Sequence, residues 1–182
     1  MVLDINAMFE SSEQQFSIGG LNSVPDHLRN GGLNSVPDHL RKVDEQDFTP
    51  LLISIGPIHR SNSKLQTMKK WKVEFCKFLI QRTNMDLQNL VYEIRVREKA
   101  IRSYYAETVV SSISSDDFVT MILLDGMFIL VYLVSCSRSS VDIRIPEWMH
   151  SFLQSDLVLL ENQLPFFVLK VLFEQSNELK EE

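Results

Sequence analysis

The chain has 182 residues, a net charge of −6 and a hydrophobic content of 45%. That apolar content is enough for a folded core, so the composition excludes a wholly disordered chain. The acidic balance argues against nucleic acid as a partner, because phosphate binding requires a basic surface. Cys76 and Cys136 both lie within apolar helical patterns, which is typical of a reducing compartment, and we expect a cytoplasmic location for this chain.

The N-terminal part contains a tandem duplication, in which GGLNSVPDHLR begins at Gly19 and recurs unchanged from Gly31. A solenoid needs at least three units of about twenty residues or more, so we interpret this pair as an insertion in a loop. The residues before it show neither the basic region nor the long apolar region of a secretory signal peptide. We therefore expect a tail with the first copy of the duplicated loop over residues 1–34, and a helical domain over residues 35–182.

Apolar residues recur at helical spacing from residue 63 onward, and no long alternating strand pattern occurs. The predicted helices begin near Ser63, Asp86, Ser115, Pro146 and Pro165. We expect the second of these to run as one helix to Tyr105. The short LLISI at residues 51–55 is predicted to be extended or strand-like. The sequence thus predicts a mostly α fold, an irregular multi-helix domain with a loop-rich N-terminal segment.

Residues 118–134 are apolar and long enough to cross a bilayer. Asp125 lies at their centre, and a central Asp costs about 2.5–3.5 kcal/mol on insertion scales, against about 0.3–0.6 kcal/mol returned by each Leu, Ile, Phe or Val. The net free energy gained by inserting this segment into a bilayer would therefore be small. We predict that this segment is a buried core helix.

The block DLVLLENQLPFFVL at residues 156–169 is interpreted as the junction between the last two helices. Leu164 precedes a proline and is disfavoured in helical geometry, so a tight break is expected there. Glu161, Asn162 and Gln163 are predicted to satisfy the backbone groups that the helix ends leave unpaired. A role in contacting a ligand is the alternative.

No group of residues identifies a catalytic, cofactor or metal site, and we expect none. No histidine has a second His or Cys at the spacing of metal ligands. Asp125 and Glu161 both lie among apolar residues, where the pKa of a carboxyl tends to rise. They would form an acid/base pair only if the fold brought them together, and we prefer to interpret them as hydrogen-bonded core carboxylates.

The first predicted helix is rich in lysine and contains Trp71. We interpret this run as a solvated face whose aromatic residue belongs to the core, with a surface for an acidic partner or a membrane as the alternative. The lysines are Lys64, Lys69, Lys70, Lys72 and Lys77.

Four blocks in unbroken order resemble the plant domain of unknown function 247 family. They are SVPDHLR, FTPLLISIGPIHR, LLDGMFIL and LLENQLPFFVL. The resemblance implies a plant origin and a mostly helical fold, and the family has no established catalytic residues to carry over. The signature positions are Pro37, Gly56, Pro57, His59, Asp125, Gly126, Glu161, Asn162, Gln163 and Pro165.

The resemblance and the missing chemistry favour a non-enzymatic protein–protein interaction or signalling module with an unknown protein partner. Relatives typically run longer and often end in a predicted transmembrane helix, which implies that the full-length relatives are membrane-associated. A membrane contact is therefore expected only if a longer form carries such an anchor. On this interpretation the chain is the N-terminal portion of a larger family domain or a truncated member.

Two alternatives remain open at this point. One is a degenerate truncated fragment with little autonomous function, in which Val168, Val171 and Phe173 would form an exposed apolar patch. The other is an enzyme that uses the carboxylates of Asp125 and Glu161.

Overall fold

The computed structural model describes residues 48–137 and 145–176. Pro37, the duplicated loop and the expected boundary at residues 34–35 lie outside these residues. Of the described residues, 68% are helical, in seven helices, and none forms a strand. This confirms the predicted mostly α fold.

Four of the seven helices begin within one residue of a predicted position, and the two that begin at Glu98 and Glu107 were not predicted. Asp86 caps the second, because its carboxylate accepts the N–H of Gln88 at 2.9 Å. Ser114 caps the fifth by accepting the N–H of Asp117 at 3.2 Å. In chain order they are α1 (Met68–Thr83), α2 (Leu87–Val96), α3 (Glu98–Arg102), α4 (Glu107–Val110), α5 (Ser115–Ser137), α6 (Glu147–Val158) and α7 (Phe166–Glu174).

Two expected helix bounds were wrong. Ser63 was expected to cap the first helix. Instead, Asn62 caps a 3-10 turn (Ser63–Leu65) that precedes α1. The predicted second helix is divided at Arg97, whose φ of −100° and ψ of 0° depart from helical geometry. The apolar pattern does not reveal this break, because Ile94 and Ile101 both still point into the core, on α2 and α3.

Helix α5 lies at the centre of the core, and α1, α2, α3 and α7 pack against it. Its segment Ser115–Cys136 is long and apolar enough to cross a membrane, and 72% of its apolar window is buried inside the protein. Gly126 brings α7 close, because a Cβ at this position would lie 2.4 Å from Leu172 Cδ1. The burial of α5 agrees with the predicted core helix.

A row of aromatic rings connects α5 to α1 and α6. Phe75 of α1 stacks on Phe128 of α5 with ring centroids 4.9 Å apart, and Phe128 stacks in turn on Tyr132 at 6.4 Å. The ring of Tyr132 then contacts His150 of α6 at 5.9 Å. Such pairs add packing specificity to the burial of apolar area.

Helix α6 has one buried and one exposed side. Met149, Leu153 and Asp156 are buried, whereas Trp148 is 61% exposed and Phe152 is 41% exposed. The two exposed rings lie one turn apart and form a T-shaped pair with centroids 6.4 Å apart. Helix α6 therefore presents an aromatic pair at the surface.

Helix α7 contains the residues that the fragment interpretation expected to be exposed. Val168, Val171 and Phe173 are all buried in the structure. The apolar patch expected at these three positions is therefore absent, and the large exposed apolar side chains of the described residues lie elsewhere.

Candidate functional site

Residues 51–56, with the sequence LLISIG, form an irregular segment that crosses the helical body before α1. Residues 51 and 52 form a bend, and none of residues 51–55 lies in a strand, so the strand-like alternative was wrong. Ile53 and Ile55 are completely buried, whereas Leu51 is 66% exposed. Buried backbone N–H and C=O groups without a helix or sheet need other hydrogen-bond partners.

Asp156, in the last turn of α6, supplies three of those partners. Its carboxylate accepts the backbone N–H groups of Leu51 at 2.8 Å, Leu52 at 2.7 Å and Ile53 at 2.8 Å. Successive N–H groups that converge in this way form a concave site for an anion. One side chain thus fixes the start of the segment.

Asn162, which is completely buried between α6 and α7, holds the middle of the segment. Its Oδ1 accepts the N–H of Ile55 at 2.6 Å, and its Nδ2 donates to the carbonyl of Ile53 at 3.0 Å. The same Nδ2 donates to the carbonyl of Asp156 at 2.9 Å. This last bond confirms that a polar residue at the break satisfies a helix-end carbonyl, as does Gln163 Nε2, which donates to the carbonyl of Val158 at 3.4 Å.

Asp125 and Lys72 hold the end of the segment from α5 and α1. Asp125 Oδ2 accepts the N–H of Gly56 at 2.8 Å. The Lys72 ammonium donates to the Ser54 carbonyl and to Asp125 Oδ1. Burial raises the pKa of Asp125, and the nearby Lys72 charge and the Gly56 N–H oppose that rise.

Gly56 and Tyr105 fit together at the end of the segment. Gly56 has a φ of +71°, and a Cβ there would lie 3.1 Å from the Tyr105 hydroxyl and 3.2 Å from the Gln163 carbonyl. Tyr105 donates its O–H to that carbonyl at 3.0 Å. Burial raises the pKa of Tyr105, and the charge of Asp125 raises it further. Glycine is therefore favoured here by both conformation and space.

His59 and Glu161 form a neighbouring polar contact beyond the segment. His59 Nε2 lies 3.7 Å from Glu161 Oε2, and both side chains are almost completely buried. The pair forms a salt bridge only when His59 is protonated. Glu161 thus contacts His59, which lies three residues after Gly56.

Several of the predicted signature positions come together around residues 51–56. Gly56, Asp125, Asn162 and Gln163 are joined by the contacts described above. Gly126 instead faces α7, and Pro165 directly precedes α7. Of the two carboxylates of the enzyme alternative, Asp125 contacts Lys72 and Gly56, and Glu161 contacts His59.

Two residues that hold the segment were missing from the sequence prediction. Asp156 received no role, and Lys72 was assigned to a solvated face although it is buried. A signal was present for both: Asp156 shares a helical stripe with Met149 and Leu153, and Lys72 shares one with Phe75. A charged residue on an apolar stripe must find a partner inside the protein.

We call Lys72, Asp125, Asp156 and Asn162 the polar clamp. These four side chains bind backbone atoms of residues 51–56 and are themselves buried. Among the described residues no group of three or more His, Cys, Asp or Glu side chains could hold a metal ion. In the structure the clamp satisfies backbone N–H and C=O groups of the same chain.

The fold and the clamp define a class of protein: an α-helical domain whose buried polar side chains hold an irregular backbone segment. Residues 33–182 match the model of the DUF247 family, described as plant protein of unknown function. The chain belongs to this family, which confirms the resemblance seen in the ordered sequence blocks.

Two relatives from Arabidopsis thaliana are similar to this chain. UPF0481 protein At3g47200 is 36% identical over 134 residues, which is 69% of this chain and 27% of the relative. Putative UPF0481 protein At3g02645 is 27% identical over 124 residues, which is 68% of this chain and 23% of the relative. The chain thus spans about a quarter of the length of these relatives. No solved structure matches the chain.

Proposed function

We propose that this plant chain is a non-enzymatic module for protein–protein interaction, and that the Trp148–Phe152 pair on α6 contacts the partner. The observation that carries the proposal is the exposure of two large aromatic rings, one turn apart, on the same helix. Tryptophan and other aromatic residues supply much of the binding energy at protein interfaces, because they bury a large area when a partner covers them.

The attachment of α6 to the body supports this proposal. Met149 and Leu153 anchor one side of the helix in the core, and Asp156 anchors its last turn through three hydrogen bonds. The aromatic pair is therefore carried by a fixed helix. Binding of a partner to this pair therefore costs this chain little additional conformational entropy.

The positions of the acidic residues favour an interaction module over an enzyme. Asp125 is 1% exposed and Glu161 is 3% exposed, and their contacts include Lys72, Gly56 and His59. A general acid or base must come within hydrogen-bond distance of a substrate. An enzyme using these two carboxylates would first have to expose them.

The proposed partner is a protein of unknown identity. The net charge of −6 supports the exclusion of nucleic acid. A membrane contact enters the proposal only through an anchor in a longer form. The burial of Val168, Val171 and Phe173 supports a self-sufficient core over a degenerate fragment.

The test compares the wild-type chain with the Trp148→Ala/Phe152→Ala variant in affinity capture from plant tissue, quantified by mass spectrometry. The matched control is Tyr92→Ala/Val96→Ala, which removes two exposed apolar side chains from α2. We expect the α6 variant to lose specific partners by about tenfold or more, as loss of about 1.4 kcal/mol or more of binding energy implies. The control should retain them.

Equal recovery of every specific partner by the wild type and the α6 variant would contradict the proposal. An equal loss with the α2 control would also contradict it, because the contact would then not be specific to α6. Circular dichroism of each variant shows whether the helices remain folded.

A further inference from the structure

The basic residues of the chain are concentrated in α1 and just before it. Residues 60–83 contain seven of the 18 lysines and arginines but only one of the 24 aspartates and glutamates. The rest of the chain therefore carries 23 acidic against 11 basic side chains. Such a separation of charge steers a partner of opposite sign to one part of a protein surface.

Helix α1 turns its apolar side to the core and its lysines to solvent. Met68, Phe75 and Leu79 are buried, and buried Lys72 is bound to Asp125. These contacts hold the helix in a fixed position on the body. The exposed basic side chains of residues 60–83 are Lys64, Lys69, Lys70, Lys77 and Arg82.

Three of these lysines form what we call the basic face of α1: Lys69, Lys70 and Lys77. Lys70 and Lys77 are two turns apart and therefore lie on the same side of the helix. Exposed Val73 lies between them and adds an apolar contact surface. The face thus combines positive charge with a small apolar area.

Glu74, the acidic residue of this stretch, is a weak internal partner for the basic face. Its Oε1 accepts a hydrogen bond from Lys77 Nζ at 3.0 Å, and both side chains are exposed. An exposed ion pair of this kind contributes little to stability. A carboxylate from another molecule can therefore replace it at low cost.

The distribution of charge favours a short acidic segment of a protein over a nucleic acid or a membrane. Nucleic acids and anionic membranes are large and uniformly negative, so they would also approach the acidic remainder of the chain, and screening acts only beyond about 8–10 Å. Helices that insert into a membrane surface need a free apolar side, and that of α1 is buried in the core. A short segment contacts α1 alone.

We propose that the basic face of α1 binds an acidic segment of a partner protein. Helix α1 has 16 residues, which corresponds to a length of about 24 Å. An extended segment of about seven residues covers this length. Lysine ammonium groups are compact charges on flexible stems, so the segment is selected by its carboxylates more than by its exact sequence. The basic face and the Trp148–Phe152 pair lie on different helices, so the two surfaces are tested independently.

The test measures binding of the full chain to a fluorescent peptide of about seven residues in which Glu and Ala alternate, a length that matches α1. The control peptide has Gln in place of each Glu. We expect saturable binding of one acidic peptide per chain, which weakens as salt is added because the contacts are exposed. The control peptide should show no saturable binding.

Variants of the basic face give effects of opposite sign. Lys69→Gln/Lys70→Gln/Lys77→Gln should weaken peptide binding by about tenfold, because three exposed ion pairs are lost. Lys69→Arg/Lys70→Arg/Lys77→Arg keeps the charge and should keep the affinity. Glu74→Gln removes the internal competitor and should strengthen binding by about threefold.

A matched pair of single variants separates the local charge of α1 from the net charge of the chain. Lys70→Gln should weaken peptide binding by about twofold, as expected for one exposed ion pair. Lys99→Gln removes the same charge from an exposed position on α3 and should leave the affinity unchanged. Equal effects of the two variants would overturn a specific role of α1.

Vesicles of equal parts phosphatidylcholine and phosphatidylserine and a double-stranded DNA test the other two classes of partner. Binding of the chain to either one that the triple glutamine variant abolishes would overturn the acidic protein segment as the ligand. Unchanged binding of the acidic peptide by that variant, or equal binding of the control peptide, would overturn the binding surface itself.

Discussion

Helix α5 and residues 51–56 both lie in the core, but they solve the same problem of backbone hydrogen bonding in different ways. In α5, the N–H and C=O groups pair within the helix, and most of its buried side chains are apolar, with Asp125 of the clamp as the charged exception. In residues 51–56, side chains from distant parts of the chain supply the partners. The helix depends on many similar residues, whereas the segment depends on four particular ones.

This difference determines how each region should respond to substitution. A long buried helix distributes its stability over many apolar contacts, so one replacement leaves the other contacts in place. In the clamp a single side chain such as Asp156 satisfies three backbone groups at once. Stability should therefore be concentrated in the clamp.

The largest effect is expected for Asp156→Ala. The change leaves the N–H groups of Leu51, Leu52 and Ile53 without their acceptor, and each buried unsatisfied group costs about 1–3 kcal/mol. Water can reach part of this site, so we expect a total loss of about 3–5 kcal/mol in the free energy of unfolding. Urea denaturation followed by circular dichroism measures it.

The matched control for Asp156→Ala is Ser155→Ala, at the neighbouring exposed position of α6. It should change the free energy of unfolding by no more than about 0.5 kcal/mol. If both variants unfold at the same urea concentration, the clamp does not concentrate stability and the comparison with α5 fails.

A smaller effect is expected for Gly126→Ala, which tests the close packing of α5 against α7. The new Cβ would lie 2.4 Å from Leu172 Cδ1, and Leu172 is completely buried and has little room to move. Overpacking of this kind costs about 1–3 kcal/mol, and the higher helix propensity of alanine returns about 1 kcal/mol. The expected net loss in the free energy of unfolding is therefore about 0–2 kcal/mol.

A double-mutant cycle isolates the Gly126 contact. In a Leu172→Ala background the atom that the new Cβ would meet is gone, so Gly126→Ala should then be neutral or stabilising by about 0.5–1 kcal/mol. Additive effects of the two changes would show that the two positions are not in direct contact. Thermal unfolding of the four proteins measures the coupling.

The clamp should also make stability depend on pH. Burial raises the pKa of Asp125 above its ordinary value of about 3.9, against the opposing Lys72 charge and Gly56 N–H. A raised pKa in the folded state gives a contribution to stability that is complete below the unfolded pKa and is lost as the pH rises through the folded pKa. Asp125 should therefore favour the folded state more in acid than at neutral pH.

The measurement compares the wild type with Asp125→Asn, which cannot titrate, in urea denaturation between about pH 4 and pH 7. The free energy of unfolding of the wild type, relative to the variant, should fall as the pH rises over that range, because the folded state holds the Asp125 proton to a higher pH than the unfolded state does. A difference that stays constant or rises with pH would contradict the raised pKa. Tyr105, whose pKa is raised to well above this range, should not contribute.

The sequence predicted those features that depend on local pattern. The apolar run at residues 118–134 was correctly interpreted as a core helix, and the break before Pro165 and the helix-end role of Asn162 follow from residues close to them in sequence. Asp156 was missed because its partners, the N–H groups of residues 51–53, lie more than 100 residues away. Periodicity gives the direction of a side chain but not the backbone it will meet.

Lys72 was also misassigned because its partners are distant in sequence. A lysine in a lysine-rich run was expected to face solvent, and only the approach of Asp125 and the Ser54 carbonyl explains its burial. The kink at Arg97 also escaped prediction, because the residues on either side keep the helical pattern. The site could thus be located in part from its polar residues, whereas its assembly required the fold.

The smallest change in stability is expected for Trp148→Ala/Phe152→Ala, which compares the exposed and buried sides of α6. The two rings contact each other at 6.4 Å and are substantially exposed, so their removal should lower the free energy of unfolding by about 1 kcal/mol or less. Leu153→Ala, on the buried side of the same helix, should cost about 2–5 kcal/mol. Urea denaturation of both variants measures the contrast. An interface residue can be removed from the free protein with little loss of stability. If the aromatic double variant lowered the free energy of unfolding by about 2 kcal/mol or more, the two rings would therefore belong to the core and not to a binding surface.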